Sequence, residues 1–382
     1  MPIYVKGIGM TKFGVQDETS NHLIYEAAIE SLDDADISMN DIDAIVVSTI
    51  EPMSNSDRQK HSASMVSSLF KKNMPILDVP AGCAGGGTAI WTAIKFLKSG
   101  EFSNYNNILA IAFDKLVSNT SKKTTDEILM GGERIYEQAE GLIFPAQNAL
   151  VAQQYMMKYG ATTDDFALVA LKNHQNAFFN PKARFYKKEV TLDDIKNSPL
   201  VASPLRLFDC SITCNGAAAL ILSKENGDIE IAGSGEVNDS LSPFEREDMT
   251  SLESTRIAAE IAYKQAGIIP SDINIAEVHD AFTPLELISY EDLGFCENGK
   301  GAELVRKGAT AINSNLPVNV SGGLKARGHP ISPTGIAQFY EIVNQMRQKC
   351  GKRQIKKPKY GLAHNIGGVG SAATVHILKN LN

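Results

Sequence analysis

A cysteine in a glycine-rich turn is the first group in this sequence that could do covalent chemistry. The stretch ILDVPAGCAGGGT runs from Ile76 to Thr88 and carries Cys83 between an apolar run and the helical pattern IWTAIKFLK. Glycine permits a sharp turn from strand to helix, which would place the thiol at a helix N-terminus. That position lowers the pKa of a thiol and offers N–H groups to an oxyanion, so we predict that Cys83 is a nucleophile. The alternative is a small buried hydrophobic residue, the commoner role of a free cysteine.

Three histidines lie where strand-like runs in the second part of the chain give way to turns. His279 follows IAEV, His329 follows PVNVSGGLKARG, and His364 lies within YGLAHNIGG. A single histidine at such a place could simply satisfy a hydrogen bond of the turn. Three of them together with a cysteine indicate catalysis, because imidazole can take the thiol proton and an imidazole N–H can hold an oxyanion.

Composition argues against several other classes of function. Cys210 and Cys214 have no second Cys or His pair at zinc spacing, so no metal site is predicted. The net charge of −7 argues against nucleic acid as the main partner. No apolar run approaches the ~20 residues of a membrane span, so no membrane association is predicted. Five scattered cysteines and no signal-peptide pattern predict a reducing, cytoplasmic location.

An α/β fold must position these residues, because strand-like and helical patterns alternate through most of the chain. IYVKGIG, the helix-like NHLIYEAAIESLDDA, DAIVVSTI, ILDVPAG and NILAIAFD follow one another along the first part of the sequence. Such alternation predicts a mostly covered sheet. Because 382 residues exceed the ~250–300 at which single cores stop growing, we expect more than one lobe.

A second alternation repeats the first. A shift of 231 residues (258 minus 27) aligns AAIESLDDADISMNDIDAIVVS with AAEIAYKQAGIIPSDINIAEVH without a gap, and pairs Ala27 with Ala258. Similarity over a helix–loop–strand unit predicts an internal duplication with two similar halves. Ligands of such folds bind at strand ends, where we expect loops of both halves to converge.

A segment of different character interrupts the first half. Residues 117–200 are polar with helical periodicity and are predicted to form an inserted loop domain. Residues 1–116 are predicted to form the first part of the N-terminal half, and residues 201–226 to complete it with a return strand. Residues 227–382 are predicted to form the C-terminal half.

At its motifs the chain resembles the thiolase superfamily. AGCAGGGTA resembles the nucleophile loop of that family, NVSGGLKARGHPISPTG its Gly-His-Pro loop, and AHNIGGVGSAATVHIL its C-terminal glycine loop. EVHDAFTPLELISYEDLGF is similar to the sterol-carrier-protein-x and archaeal branch, which carries His-Asp-x-Phe. The resemblance covers nearly the whole chain. It implies a five-layered α-β-α-β-α fold of duplicated βαβαβ halves with an inserted loop domain.

The resemblance also implies acyl transfer between coenzyme A thioesters without a cofactor. Acetyl-CoA would condense to acetoacetyl-CoA, or a 3-ketoacyl-CoA would be cleaved in reverse. Cys83 would carry the acyl group, His329 would activate Cys83 and contribute to an oxyanion hole, and His279 would hold a water in that hole. The N–H of Cys83 and one near Gly367, next to Asn365 in the glycine loop, would form a second hole.

The second cysteine of the family is absent. Best-known thiolases keep it in the C-terminal glycine loop, where it removes the α-proton of acetyl-CoA. Counting back from the glycines places His364 there, whereas Ala281 stands where sterol-carrier-type relatives have their cysteine. Because α-proton abstraction needs a base within hydrogen-bond reach, His364 or His279 is predicted to serve.

Two other interpretations of the resemblance stay open. A Cys-His-His set also resembles decarboxylating ketosynthases, whose malonyl donor gives the carbanion by losing CO₂. Thiolase-like chains can also act as non-thiolytic subunits of multiprotein complexes. The resemblance further implies a homodimer or tetramer, and a small zinc-ribbon/OB-fold acyl-CoA-binding protein as a partner.

Basic residues near the motifs are candidates for contacts with the phosphates of coenzyme A, which favour cationic partners. Lys325 and Arg327, with Gly322 and Gly323 beside them, are predicted to bind substrate. A solvated basic surface is the alternative for most of the candidates, which also include Lys182, Arg184, Lys187 and Lys188.

Overall fold

The computed structural model describes residues 1–50, 59–99, 104–116 and 121–382. Its strands in chain order are β1 (Tyr4–Met10), β2 (Ala44–Ser48), β3 (Ile76–Asp78), β4 (Asn107–Asp114), β5 (Leu200–Ala202), β6 (Leu205–Arg206), β7 (Gly216–Ser223), β8 (Ile229–Asn238), β9 (Ile275–Glu277), β10 (Tyr360–Gly367) and β11 (Ala372–Asn380). Its α-helices are α1 (Ser20–Ala35), α2 (Ser62–Phe70), α3 (Gly85–Lys98), α4 (Ser121–Leu129), α5 (Phe144–Tyr159), α6 (Thr163–Phe178), α7 (Leu192–Lys196), α8 (Glu253–Ala266), α9 (Thr283–Asp292), α10 (Gly301–Arg306) and α11 (Thr334–Met346).

Local sequence signals set the ends of the longer helices. The side chain of Thr19 caps α1 by accepting a hydrogen bond from the amide of His22. Helices α5 and α8 each end at a glycine in the left-handed conformation, Gly160 and Gly267. The helical periodicity predicted within the loop segment thus corresponds to α5 and α6.

Among the described residues the main sheet has the strand order β3-β2-β4-β7-β1-β8-β11-β10-β9. The two halves meet where β1 pairs antiparallel with β8. Strand β2 pairs in parallel with β4, and β9 pairs in the same way with β10. On its other side β2 pairs in parallel with β3, and β9 has at the equivalent place a single parallel bridge from Ala276 to Val318. Strands β7 and β11 are antiparallel to their neighbours in both halves. The matching order and directions are those of a duplicated unit.

Helices cover both sides of each half. Helices α3 and α11 contact each other and strands of both halves, so they form a central layer. Helix α1 packs on β1 and β7, and α8 packs in the same way on β8 and β11. Strands β4 and β7 are buried along their whole length, which explains their nearly continuous apolar sequences. The predicted fold class, duplicated α/β halves in alternating layers, is confirmed.

Equivalent glycines bring each outer helix close to its sheet. A Cβ on Gly9 would lie 2.0 Å from the carbonyl oxygen of Ala27 in α1, and one on Gly235 would lie 2.1 Å from that of Ala258 in α8. Ala27 and Ala258 are the same two positions that the sequence repeat aligns. The duplication therefore extends to the way in which helix and sheet backbones approach each other.

We expect Gly235→Ala to destabilise the protein, because the added methyl group would meet backbone atoms that can move only with the whole helix. Overpacking of this kind costs about 1–3 kcal/mol in the free energy of unfolding. Gly14→Ala is the control, since the nearest atom to its added Cβ would lie 3.8 Å away. Urea denaturation measures both variants, and equal midpoints for the two would contradict the prediction.

Helix α6 of the inserted segment packs against the loops that follow the strands of the second half. Helix α6 contacts α9, α10 and the π-helical turn Gly323–Arg327, which leads to His329. Asn176 and Asn180 donate side-chain hydrogen bonds to the carbonyl oxygens of Asn319 and Ser321. In the described part of the chain, no helix is long and apolar enough to cross a membrane.

Candidate active site around Cys83

Cys83 lies in a 3₁₀ turn, Gly82–Ala84, between β3 and α3. Gly82 has a φ of +51°, which favours glycine, whereas the glycines that follow Cys83 are already helical. Their role is close approach, because a Cβ on Gly86 would lie 2.5 Å from the carbonyl oxygen of Ser332 beside α11. The turn therefore needs glycine at one residue for its conformation and at others for contact with the second half.

A cavity of about 750 Å³ reaches Cys83, a size typical of small-molecule sites. Its lining is mostly apolar and includes residues from the nucleophile turn, α4, the start of α5 and the glycine loop, among them Pro80, Met130, Phe144, Leu241 and Gly368. In the described ranges no group of three or more His, Cys, Asp or Glu side chains could hold a metal ion.

The environment of the sulfur keeps Cys83 protonated. Burial, together with the nearby carboxylate of Asp114, raises the pKa of the Cys83 thiol to about 12. The backbone N–H groups of Gly368 and of Cys83 itself are directed at the sulfur and oppose this rise only in part. The expectation that the helix N-terminus lowers the pKa of this thiol is wrong, because desolvation is the larger effect.

Asp114, at the end of β4, joins the nucleophile turn to the loop after His329. Its Oδ1 accepts hydrogen bonds from the hydroxyl of Thr49 and the amide of Ile50, both 2.9 Å long, and its Oδ2 accepts one from the amide of Ser332 at 2.6 Å. Burial raises the pKa of Asp114 to about 6. The carboxylate thus has donors on both oxygens and holds the two loops together.

Asn365 connects the nucleophile turn to His279. Its Nδ2 donates to the carbonyl oxygen of Cys83 at 2.9 Å and contacts His279 Nδ1 at 3.0 Å. Its Oδ1 accepts a hydrogen bond of 3.2 Å from the amide of Gly87 in α3. One side chain therefore fixes the turn, the start of α3 and the imidazole relative to one another.

His279 is held as the tautomer that carries its proton on Nε2. The amide of Ile366, which can only donate, points at Nδ1 from 3.2 Å, so Nδ1 is an acceptor. Burial and the neighbouring His329 hold the pKa of His279 well below its usual value, so the ring is neutral. Its Nε2 is buried and has no hydrogen-bond partner within the described residues. The ring thus presents an unused N–H donor.

His329 is held as the opposite tautomer. Its Nδ1 lies 2.7 Å from the hydroxyl of Thr334, and that hydroxyl donates to the carbonyl oxygen of Pro330 at 2.8 Å. The hydroxyl oxygen must then accept the Nδ1–H of His329, which leaves a lone pair on Nε2. Burial lowers the pKa of His329 to about 3. Its ring lies 5.4 Å from that of His279, nearly perpendicular to it, so a base and a donor are adjacent.

Comparison with known proteins matches both halves of the chain to one family. Family models described as "Thiolase, N-terminal domain" and "Thiolase C-terminal domain-like" match residues 3–226 and 235–380. The chain belongs to the thiolase family. It is 37% identical to an acetyl-CoA acetyltransferase of Methanothermobacter thermautotrophicus, with 98% of each chain covered. It is 32% identical to sterol carrier protein 2 of Bos taurus, covering 99% of this chain and 72% of that protein.

Two solved structures share the thiolase fold at low identity. The structure described as "Ltp2-ChsH2(DUF35) aldolase" has a TM-score of 0.83 and 24% identity, and covers 99% of this chain and 98% of that one. Human mitochondrial 3-ketoacyl-CoA thiolase has a TM-score of 0.75 and 18% identity, and covers 100% of this chain and 99% of that one. At these identities the likeness concerns the fold alone.

The structure of this thiolase does not bring His364 to Cys83. His364 Nε2 forms a hydrogen bond of 2.9 Å with the hydroxyl of Thr255 in α8, the outer helix of the second half. Successive residues of a strand point to opposite faces, so Asn365 faces Cys83 and His364 faces away. The prediction that His364 removes the α-proton is therefore corrected. The alternation of side chains along the strand was a signal that only one of the two residues could face the cavity.

The side chains of Lys325 and Arg327 are almost fully buried. Lys325 Nζ donates to the carbonyl oxygen of Cys210, and Arg327 Nη1 to that of Ala337 at 3.1 Å. Gly322 and Gly323 are buried beside them. A phosphate contact of Lys325 and Arg327 is not supported, because a charge enclosed by protein cannot reach a solvated phosphate. The substrate-binding role of the two glycines stays a prediction. Lys325 and Arg327 are close to His329 in sequence because they belong to the same loop, which their hydrogen bonds hold in place.

Two other basic candidates also have places outside the Cys83 cavity. Lys182 Nζ donates to the carboxylate of Glu30. Lys187 lines a separate cavity together with Tyr340 and Lys352. The basic segment around residues 182–188 therefore packs near α1 and the end of α11, and its electrostatic role at the active site is not supported by contacts.

Carboxylates that sequence reasoning missed hold the loop that carries His329. Asp280 accepts hydrogen bonds from the amides of Leu324 and Lys325, at 2.7 and 3.3 Å. Glu277 accepts one from the amide of Ser321 at 3.0 Å. Glu277 ends β9 and Asp280 comes after it, so the two acids flank His279 in sequence. Carboxylates at the end of an apolar run were the available signal. They set the position of His329 relative to His279.

We expect alkylation of Cys83 by iodoacetamide in the free enzyme to accelerate about tenfold per pH unit from pH 6 to 9 without a plateau. The reason is that the thiolate is the reactive form and the pKa of this thiol is raised, so its fraction keeps rising with pH. Peptide mass spectrometry measures the rate at Cys83, and the unfolded protein, which should level off near ~8.5, is the control. A plateau below pH 8 in the folded enzyme would show a thiolate–imidazolium pair instead.

Proposed function

We propose that this protein is an acetyl-CoA C-acetyltransferase that forms acetoacetyl-CoA from two acetyl-CoA molecules, or cleaves 3-ketoacyl-CoA in reverse. One observation carries the proposal: the side chain of Asn365 joins the Cys83 turn to His279, and the ring of His279, a donor, lies 5.4 Å from that of His329, an acceptor. Membership of the thiolase family supports it, as does the relative named acetyl-CoA acetyltransferase.

The first half-reaction transfers an acetyl group to Cys83. His329 Nε2 takes the thiol proton as the sulfur attacks the thioester carbonyl. The N–H groups of Cys83 and Gly368, which are directed at the sulfur, would stabilise the carbonyl oxygen as it becomes negative. The coenzyme A thiolate then leaves with the proton from His329, so that the imidazole is neutral again. Because the resting site holds a thiol and a neutral imidazole, proton transfer accompanies attack.

The test is incubation of the pure protein with acetyl-CoA, with and without malonyl-CoA, followed by peptide mass spectrometry. We expect an acetyl group on Cys83 and acetoacetyl-CoA from acetyl-CoA alone. A requirement for malonyl-CoA would favour the decarboxylating ketosynthase. Acetylation at another residue would contradict the mechanism, and no acetylation at all would support a non-thiolytic subunit.

We propose that coenzyme A thioesters are the substrates, that no cofactor is needed, and that the protein works in the cytoplasm as a homodimer or tetramer. A small zinc-ribbon/OB-fold protein is proposed as a partner that supplies part of the coenzyme A site. A pair of exposed aromatic rings supports a binding partner, since Tyr136 and Phe244 are both exposed with ring centroids 6.2 Å apart. Light scattering of the protein alone and of the co-expressed pair tests both assemblies.

A further inference from the structure

We infer that a single base, Nε2 of His329, takes the proton in both half-reactions, and that Asn365 is a positioning residue that keeps His279 as a hydrogen-bond donor. This inference rests on the proposed function and deepens it. The family resemblance implied a separate group for the α-proton of the second acetyl-CoA, and the sequence offered His364 or His279. The hydrogen bonds of the site show that neither His364 nor His279 can take the α-proton.

The ring nitrogen of His279 that has no hydrogen-bond partner in the described part of the chain, Nε2, already carries a proton and so cannot act as a base. The Nδ1 lone pair of this ring already receives the amide N–H of Ile366 and the amide group of Asn365, at 3.2 and 3.0 Å. The proton of the neutral ring is therefore on Nε2, the atom that has no partner in the described part of the chain. A buried N–H of this kind can stabilise an enolate oxygen, but it cannot remove a proton from carbon.

His329 has the complementary arrangement. Thr334 uses its hydroxyl hydrogen on the carbonyl oxygen of Pro330, so it can only accept from His329 Nδ1. The free lone pair of this ring is on Nε2, and the rings of His329 and His279 lie 5.4 Å apart. A substrate between them would meet a base on one side and a donor on the other.

The other candidate groups are not suited to removing the α-proton. His364 is hydrogen-bonded to Thr255 on the far side of β10. Asn365, which faces Cys83, carries an amide and no basic lone pair. Asp114 already accepts hydrogen bonds on both carboxylate oxygens. Among these described residues, His329 therefore has the free basic lone pair.

The proton count allows one base to serve twice. The first half-reaction ends with neutral His329, because the leaving coenzyme A takes its proton. In the second, His329 Nε2 takes a proton from the methyl group of acetyl-CoA, the C–H electrons form the enolate, and His279 Nε2–H binds the enolate oxygen. The enolate carbon attacks the acetyl carbonyl on Cys83, the C–S bond breaks, and the thiolate recovers the proton from His329. Acetoacetyl-CoA and the resting enzyme result.

The test separates α-proton removal from acyl transfer. The variant Cys83→Ala, which cannot be acylated at this position, is incubated with acetyl-CoA in D₂O, and mass spectrometry measures deuterium in the acetyl group. We expect exchange to persist in Cys83→Ala, and adding His329→Asn to slow it by at least ~100-fold, the usual contribution of a general base. Adding His364→Gln should change it by no more than about two-fold, because that ring is outside the site.

Asn365→Asp tests the positioning role. A carboxylate beside Nδ1 accepts rather than donates, so it competes with the N–H of Ile366 for Nδ1, favours the imidazole proton on Nδ1, and weakens the donor for the enolate. We expect exchange to fall by at least ~10²-fold, the lower end of the range for a lost oxyanion-hole donor. The ¹⁵N shifts of the ring nitrogens, assigned with His279→Gln and His329→Gln, should show Nε2–H for His279 in the wild type and Nδ1–H in Asn365→Asp. A loss caused only by altered packing would leave this tautomer unchanged.

Several results would overturn the inference. Exchange that survives His329→Asn, or that is lost in His364→Gln while the variant stays folded, would assign the proton to another base. Exchange by the wild type that disappears in Cys83→Ala alone would assign it to the sulfur. A wild-type His329 with its proton on Nε2 would remove the lone pair on which the inference depends. Failure of the proposed function would appear separately, as wild-type protein without acetylated Cys83.

Discussion

Replacing Cys83 with serine is expected to reduce the condensation of acetyl-CoA by at least ~10³-fold, which corresponds to about 4 kcal/mol of activation free energy. A serine hydroxyl is far less acidic than a thiol and its oxygen is a poorer nucleophile and a poorer leaving group than sulfur. Formation of the acyl-enzyme and its use by the enolate are therefore both slowed. Initial rates of acetoacetyl-CoA formation and of its thiolysis measure the loss in both directions.

Cys296→Ser is the matched control for this variant. Cys296 is a free, partly exposed cysteine that packs against the cluster around Tyr155 and α9, away from the cavity. We expect its rate to stay within about two-fold of the wild type, as for substitutions away from a functional site. If Cys83→Ser and Cys296→Ser had similar rates, Cys83 would not be the nucleophile.

Replacing Arg327 with leucine is expected to lower the free energy of unfolding by about 3–5 kcal/mol, the usual cost of leaving one partner of a buried ion pair without its charge. The Arg327 side chain is 1% exposed, and its Nη1 lies 3.5 Å from the carboxylate of Glu277 and 3.3 Å from the hydroxyl of Ser321. Burial raises the pKa of Glu277 to about 7 even with the guanidinium present. Without Arg327 this carboxyl group would have to be buried as a neutral acid or as an unpaired charge.

Two further variants test the prediction for Arg327→Leu: a control at an exposed ion pair and a double variant that also removes the carboxylate. Arg256→Leu removes an arginine whose ion pair with Glu253 is about half exposed, and we expect a change of no more than ~1 kcal/mol. Adding Glu277→Gln to Arg327→Leu should recover part of the lost stability, because the unpaired charge is removed along with its partner. Urea denaturation monitored by fluorescence measures all four proteins. Equal midpoints for Arg327→Leu and Arg256→Leu would show that the buried pair contributes little.

Buried arginine and its carboxylate partners also link stability to catalysis. Arg327 precedes His329 by two residues, and its charge contributes to the lowered pKa of that imidazole. The loop therefore carries in one turn both the base and a cation that keeps the base neutral. The lysine and arginine of this loop looked like substrate contacts in the sequence, yet the structure uses them to hold the loop.

The fold class, the internal duplication and three of the site residues could be predicted from the sequence by itself. The alternation of strand and helix patterns gave the α/β class, and the match of Ala27 with Ala258 revealed the duplication that the sheet order displays. The glycine-rich turn singled out Cys83, and the Gly-His-Pro and His-Asp-Ala-Phe motifs singled out His329 and His279. These features depend on local chain geometry and on periodic burial, which neighbouring residues encode directly.

Only the tertiary structure decided which groups can move a proton. Whether His364 or Asn365 faces Cys83 depends on the face that β10 turns toward the central helices, and a shift of one residue would exchange them. The tautomers of His279 and His329 depend on partners distant in sequence, such as the amide of Ile366. The raised pKa of Cys83 depends on how much water the assembled fold excludes. Register, hydrogen-bond partners and desolvation are properties of packing between distant segments, and no local pattern in the chain contains them.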